Sequence, residues 1–174
     1  DEASAFAKRL CEERELTFVH PFNDLDVMAG QGTVALEMFE DVPDLEVLPV
    51  PIGGGGLISG VATAAKHLNP SVRIVGLEPA MYPSFTAKMR GVNAFSSIGG
   101  ATIAEGIAVK QVGDVSYAVA RPLLDDVLLI EEPFFERAVA LYCNVEKTVA
   151  EGAGAASLAG LLACFLGGGI AGAM

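Results

Sequence analysis

The stretch "LPVPIGGGGLISGVATAAKHLNP", Leu48 to Pro70, sets four consecutive glycines between an apolar, strand-like run and a run with helical spacing. A strand, a glycine turn and a helix start together make an anion site, because unpaired amide N–H groups and the positive end of the helix dipole aim at one spot. Removing each Cβ lets a phosphate come close. The bland alternative is a strand-to-helix loop without a ligand, although four adjacent glycines each carry an entropy cost of up to ~1 kcal/mol against alanine.

Spacing tests the better-known phosphate motifs. A Walker P-loop ends in Gly-Lys-Ser/Thr, whereas Gly56 is followed by Leu57 and Ile58. The Rossmann pattern G-x-G-x-x-G/A, started at Gly53 or Gly54, ends on Ile58 or Ser59. Glu78, closing the next apolar run, stands where a ribose-binding acid would, and this keeps a dinucleotide fold open as a rival.

Outward from the glycines, helix and strand signals alternate, as in an α/β fold with a parallel sheet. Residues 2–14 read as an amphipathic helix with Phe6, Leu10 and Cys11 on one face, and "LTFVHPF" as a short strand. "AGQGTVALEMFEDVP" reads as a helix whose apolar positions are Val34, Leu36, Met38 and Phe39, stopping at Pro43. "LEVLPVPI" and "VRIVGLEP" are apolar almost throughout, as strands buried on both faces must be. With the helix "LISGVATAAKHL" between them they form one βαβ unit. Further on, "SFTAKMRG" reads as a helix, "SSIGGATIAEG" as a loop, and "VSYAVA" and "DVLLI" as strands. "EEPFFERAVALYCNVEK" opens as a helix with two acids and Pro133. Residues 153–166 read as a buried small-residue helix that Gly167, Gly168 and Gly169 end.

The 174 residues suit a single domain. With 22 acidic and 11 basic residues, the net charge of −11 and scattered Lys and Arg argue against nucleic acid and anionic membranes as partners. The uncharged stretch from Gly152 to Met174 is long enough to span a bilayer, but its Gly and Ala content and bare flanks favour the buried helix. Cys11, Cys143 and Cys164 are odd in number and lack metal-ligand spacing, so they read as small buried hydrophobes of a reduced, cytoplasmic protein. His20 reads as a packing residue and His67 as a surface one.

"FVHPFNDLDVMAGQGTVALEMFEDVPDLEVLPVPIGGGGLISGVATAAK", with "VRIVGLEP", "IAEGIAVKQVGDVSYAVARPLLDDVLLIEEPFFERAV" and "EKTVAEGAGAASLAGLLA", closely resembles the serine/threonine dehydratases. These are threonine deaminases, with serine racemase as a relative, among the fold-type II pyridoxal-phosphate enzymes. The resemblance implies a three-layer α/β fold, a mostly parallel sheet with helices on both faces. It implies that the backbone of Gly53, Gly54, Gly55, Gly56 and Leu57 holds the phosphate of pyridoxal phosphate, with Gly106 beside the ring and Glu151 on its other side. On the residues alone, Glu151 is equally an acid that stabilises the start of the following helix. Some relatives bind a divalent cation through the position of Glu78 and a carboxylate six residues on; here that second position is Ser84, so no metal is expected.

The resemblance also has gaps. The "SFK-x-R-G-A" type motif with the Schiff-base lysine does not occur, and Lys8, Lys66, Lys88, Lys110 and Lys147 match non-catalytic parts of the family. The "S-x-G-N-H" segment is missing too, and after Leu166 "GGGIAGAM" stands where a closing strand is expected. An internal portion of the enzyme is therefore expected, with residues 1–20 ending the small domain and residues 21–174 belonging to the large one. The intact enzyme would convert threonine or serine to a 2-oxo acid and ammonia. This chain by itself would not turn over, because the lysine both carries the cofactor and takes the α-proton. The rival of another class is a non-catalytic remnant that oligomerises or binds anions. Either way a homo-oligomer is expected, through the apolar tail or a bare sheet edge.

Overall fold

The computed structural model describes residues 2–92 and 99–166. Three parallel strands, β1 (Val47–Pro51), β2 (Arg73–Pro79) and β3 (Asp126–Ile130), lie in the order β1-β2-β3. Val47 pairs with Arg73, and Val75 with Asp126. In β1 the even-numbered residues face β2: Glu46 O accepts from Arg73 N–H at 2.8 Å, and Ile52 N–H donates to Leu77 O at 2.7 Å.

Helices cover both faces of this sheet. On one side α2 (Leu25–Asp41), α3 (Gly56–Leu68), α4 (Ser84–Met89) and α5 (Asp114–Ala120) close over Leu48, Val50, Ile52 and Ile74. On the other, α6 (Glu132–Leu141) and α7 (Ala156–Leu166) bury Leu77, Ile130, Phe135, Ala156 and Ala159. The first helix, α1 (Glu2–Glu13), buries no residue, and its Phe6 is exposed beneath the Arg9 guanidinium. The βαβ unit and DVLLI as a strand stand as expected, and the small-residue helix is present, but it begins at Ala156 and is buried on one face only, with Leu161, Phe165 and Leu166 exposed. Gly167 to Gly169, and part of the loop expected before Gly106, lie outside the described residues.

Four expectations are corrected. "VSYAVA" is helix α5. Its apolar/polar alternation imitates a strand, but Asp114 in the first turn and an external cap on its first amides favour the helix. Residues 16–20 form no strand and have no sheet partner, with Phe18, His20 and Phe22 in edge-to-face contact instead. Helix α2 begins at Leu25, four residues early, because Asp24 caps it: its Oδ1 accepts from Asp26 N–H at 2.9 Å and Val27 N–H at 3.1 Å. Its buried face is Met28, Gly32 and Ala35, whereas Val34, Leu36 and Met38 are exposed. Small residues are preferred there because α2 and α3 meet almost backbone to backbone: a Cβ on Gly60 would overlap the Met28 carbonyl. Finally, the cysteines are not core residues, since Cys143 is exposed and Cys11 and Cys164 are half-buried.

Candidate functional site

The glycine turn joins the end of β1 to the start of α3, and Gly55 sits at φ +96°, a left-handed conformation that favours glycine. Gly54 and Gly56 are required by close neighbours, and Gly53 is tightly packed. A Cβ on Gly54 would overlap the Phe22 ring, one on Gly56 would lie 2.9 Å from Phe22 Cα, and one on Gly53 would lie 3.1 Å from Ile107 Cα. Missing side chains therefore serve protein packing as well as any ligand.

The carbonyls of the turn are tied down. Gly54 O accepts from the Ser116 hydroxyl at 2.7 Å and Gly113 N–H at 3.1 Å. Gly55 O lies 2.6 Å from Ser59 Oγ, whose single proton it shares with Ser116 O at 2.8 Å. Ser59 and Ser116 are both fully buried. The amides differ: among the described residues no protein acceptor meets the N–H of Gly53, Gly54, Gly55, Gly56 or Leu57. Five unpaired amides at the positive end of a 13-residue helix are a donor set for a phosphate.

The three predicted segments converge. The Cβ position of Gly53 is 3.5 Å from Gly106 O, and that of Gly106 is 3.3 Å from Glu151 Oε1. Gly106 lies in a short 3₁₀ turn, Glu105–Ile107. Glu151 Oε1 accepts from Gly154 N–H at 3.1 Å in the turn leading to α7, so Glu151 has the local role expected from its position as well as a place beside Gly106.

Glu78 does not join them. Fully buried at the end of β2, its carboxylate accepts from Phe85 N–H at 2.6 Å and from Thr86 N–H and Oγ at 2.9 and 2.7 Å, capping α4. Ser84 Oγ faces the same carboxylate without reaching hydrogen-bond geometry. Burial pushes the Glu78 carboxyl above its ordinary value, against those hydrogen bonds. A carboxylate so enclosed is not placed to take a ribose, which removes the support for a dinucleotide site.

Several lysines are engaged elsewhere. Lys66 Nζ lies 2.9 Å from Asp125 Oδ2, Lys88 Nζ 2.6 Å from Asp114 Oδ1 and over the Tyr117 ring, and Lys147 Nζ donates to Asn144 O at 2.6 Å. Lys110 lines an open cleft with His20, Phe22 and Asp114. Sequence reasoning missed Phe22, Asn23, Ser59 and Ser116 as parts of this site. The Gly113-Asp114 pair, a helix-start signal, was the clue to α5 and so to Ser116.

The sequence profile described as "Pyridoxal-phosphate dependent enzyme" matches residues 1–173. The chain belongs to that family. The L-threonine ammonia-lyases of Thermotoga maritima and Geobacter sulfurreducens are 44% and 45% identical over 162 residues, 93% of this chain. The chain spans 40% of the length of each. Among solved structures, maize serine racemase superposes with a TM-score of 0.83 at 38% identity, covering 91% of this chain and 50% of that one. The threonine deaminase of Solanum lycopersicum, isoform 2 in its processed form, gives 0.79 at 32% identity, covering 87% and 42%. The fold is thus that of about half of a fold-type II pyridoxal-phosphate enzyme. The residues present fit the phosphate end of that cofactor through five free amides. Among the described residues no helix is long and apolar enough to cross a membrane.

Proposed function

We propose that this chain is the cofactor-phosphate-holding portion of a threonine/serine ammonia-lyase that forms a 2-oxo acid and ammonia. The observation that carries this reading is the set of unpaired amides at residues 53–57, adjacent to Gly106 and Glu151. Pyridoxal phosphate, when bound, supplies an electron sink for cleavage at the amino-acid α-carbon. The protein's own part is to hold the phosphate by backbone donors, with Gly106 beside the ring and Glu151, kept oriented through Gly154 N–H, on its other side. Residues 1–20 belong to the smaller domain of such an enzyme and residues 21–174 to the larger.

The lysine that carries the cofactor comes from outside these 174 residues. Lys66, Lys88 and Lys147 are held in other bonds, and no lysine stands in the family's catalytic motif. The chain alone therefore binds phosphate without turnover, which is also what a non-catalytic anion-binding remnant would do. Three unpaired cysteines suit the reducing cytoplasm. Exposed Leu25, Leu36 and Met38 on α2, with Phe165 at 80% exposure on α7, suit a homo-oligomer. Light scattering over a range of dilutions tests that last point, and a monodisperse monomer throughout would refute it.

The site is tested by titrating inorganic phosphate into the ¹⁵N-labelled chain. Amide shifts concentrated at residues 53–57 are expected, and unchanged amides there would refute the reading. Borohydride reduction after adding pyridoxal phosphate is expected to leave no adduct at one specific lysine. A single labelled lysine, together with 2-oxo acid formed from threonine, would mean that the chain is catalytic by itself.

A further inference from the structure

The two buried serines act on carbonyls, yet their effect is felt by the amides on the other side of the same peptide planes. All described peptide bonds are trans, and in a planar trans peptide the N–H points opposite to the C=O. Gly54 O is drawn to Ser116 Oγ at 2.7 Å, so Gly55 N–H is turned away from α5. Gly55 O is drawn to Ser59 Oγ at 2.6 Å and accepts from Ser59 N–H at 3.1 Å, so Gly56 N–H points out of the start of α3. The left-handed φ of Gly55 lets both carbonyls face the protein in succession.

Ser116 is itself set from a distant part of the chain. Asn23 Oδ1 accepts from Val115 N–H at 2.9 Å and Ser116 N–H at 3.3 Å, which fixes the first turn of a helix only seven residues long. Asn23 is fixed in turn by His20, whose Nδ1 accepts from Asn23 N–H at 2.9 Å. The line from His20 through Asn23 and Ser116 to Gly54 is continuous in hydrogen bonds and in chain.

We propose that Ser116, set by Asn23, is a positioning residue that aims the Gly55 amide at an anionic phosphate. This rests on the phosphate reading above and adds to it what makes the loop a directed donor set. Removing the hydroxyl leaves Gly54 O with Gly113 N–H alone, at 3.1 Å, and loosens the hold on the Gly54–Gly55 peptide.

The test uses the ¹⁵N-labelled chain with pyridoxine 5′-phosphate and pyridoxine, neither of which has an aldehyde to react with lysines. Ser116→Ala and Asn23→Ala are expected to weaken pyridoxine 5′-phosphate about threefold to tenfold, one hydrogen bond's worth, and to leave pyridoxine unchanged. Ser116→Cys, which fills the same space with a weak donor, guards against a misfolded alanine variant and is expected to show the same split. Equal weakening of both ligands would make Ser116 merely structural and overturn the proposal, as would unchanged phosphate affinity in the variants. If the unmodified chain shows no phosphate-dependent shift at residues 53–57, the phosphate reading itself falls and takes this proposal with it.

Discussion

Gly60 of α3 lies directly against the backbone of Met28 in α2, so close that a Cβ on Gly60 would overlap the Met28 carbonyl oxygen and come within 2.6 Å of Gly32 N. Backbone atoms of a packed helix pair cannot step aside as a flexible side chain can. Gly60→Ala is therefore expected to destabilise the chain by roughly 1–3 kcal/mol, as overpacked cores do. Gly30, also in α2, has nothing within 4 Å of its Cβ position, and Gly30→Ala is expected to stabilise by about 0.5–1 kcal/mol through helix propensity. Urea midpoints of the two variants check both signs, and equal effects would contradict the close crossing.

Gly54→Ala places a methyl group in the Phe22 ring and must displace either that ring or the turn. Loss of phosphate-induced shifts at residues 53–57 is expected, together with a stability loss of roughly 1–3 kcal/mol. The double variant Gly54→Ala, Phe22→Ala is expected to recover part of both losses. If it recovers neither, Phe22 is not the neighbour that requires a glycine.

Ionic strength separates neutral donors from charged ones. A phosphate held by amides on a chain of net charge −11 is repelled at long range and attracted at short range. Raising salt from about 0.01 M to about 0.1 M shortens the screening length from about 30 Å to about 10 Å and relieves the repulsion. Phosphate affinity is expected to hold or rise, measured with chloride as the added anion. A tenfold fall would reveal a Lys or Arg carrying the site.

Glu78 and Asp125 pull the pH dependence of stability in opposite directions. Burial raises the Glu78 carboxyl from 4.5, so the folded chain binds its proton more tightly than the unfolded chain, and this group's contribution falls as pH rises from 4.5 through the folded value. At Asp125, desolvation raises the carboxyl, but Ile74 N–H with Lys66 and Arg73 outweighs it and holds the group below 3.8. Its contribution is present above 3.8 and is lost as pH falls through the folded value. Glu78→Gln is expected to flatten the stability profile just above pH 4.5, and Asp125→Asn below pH 3.8. Denaturation midpoints from about pH 2.5 to about pH 7 check both windows, and an unchanged slope in either variant would remove that group from the account.

How much of this is legible in the sequence depends on how local the deciding forces are. The β1-α3-β2 unit can be read within a residue or two of its limits, because long apolar runs and a glycine turn carry their own signal. Val115 to Ala120 misleads because its alternation is local while its cap, Asn23, lies 92 residues away from the amide it meets. The buried face of α2 misleads for a related reason. Hydrophobicity points to Val34, Leu36 and Met38, but a close helix crossing selects small residues such as Gly32 and Ala35. At the site, Gly53 to Leu57, Gly106 and Glu151 can be named from motif resemblance. The serines that set the glycine carbonyls cannot, since a single serine in an apolar run carries no pattern.

The outer edge of β1 has a polarity of its own. With the even-numbered residues bonded to β2, the outward backbone groups belong to Val47, Pro49 and Pro51, and the Ser157 hydroxyl already occupies Pro49 O at 2.9 Å. Two of the three outward positions have no N–H to give. A strand that docks here must do nearly all the donating and finds only one amide in return. The rim is thus a one-way connector, which favours a partner segment rich in free amides and discourages this edge from pairing with a second copy of itself.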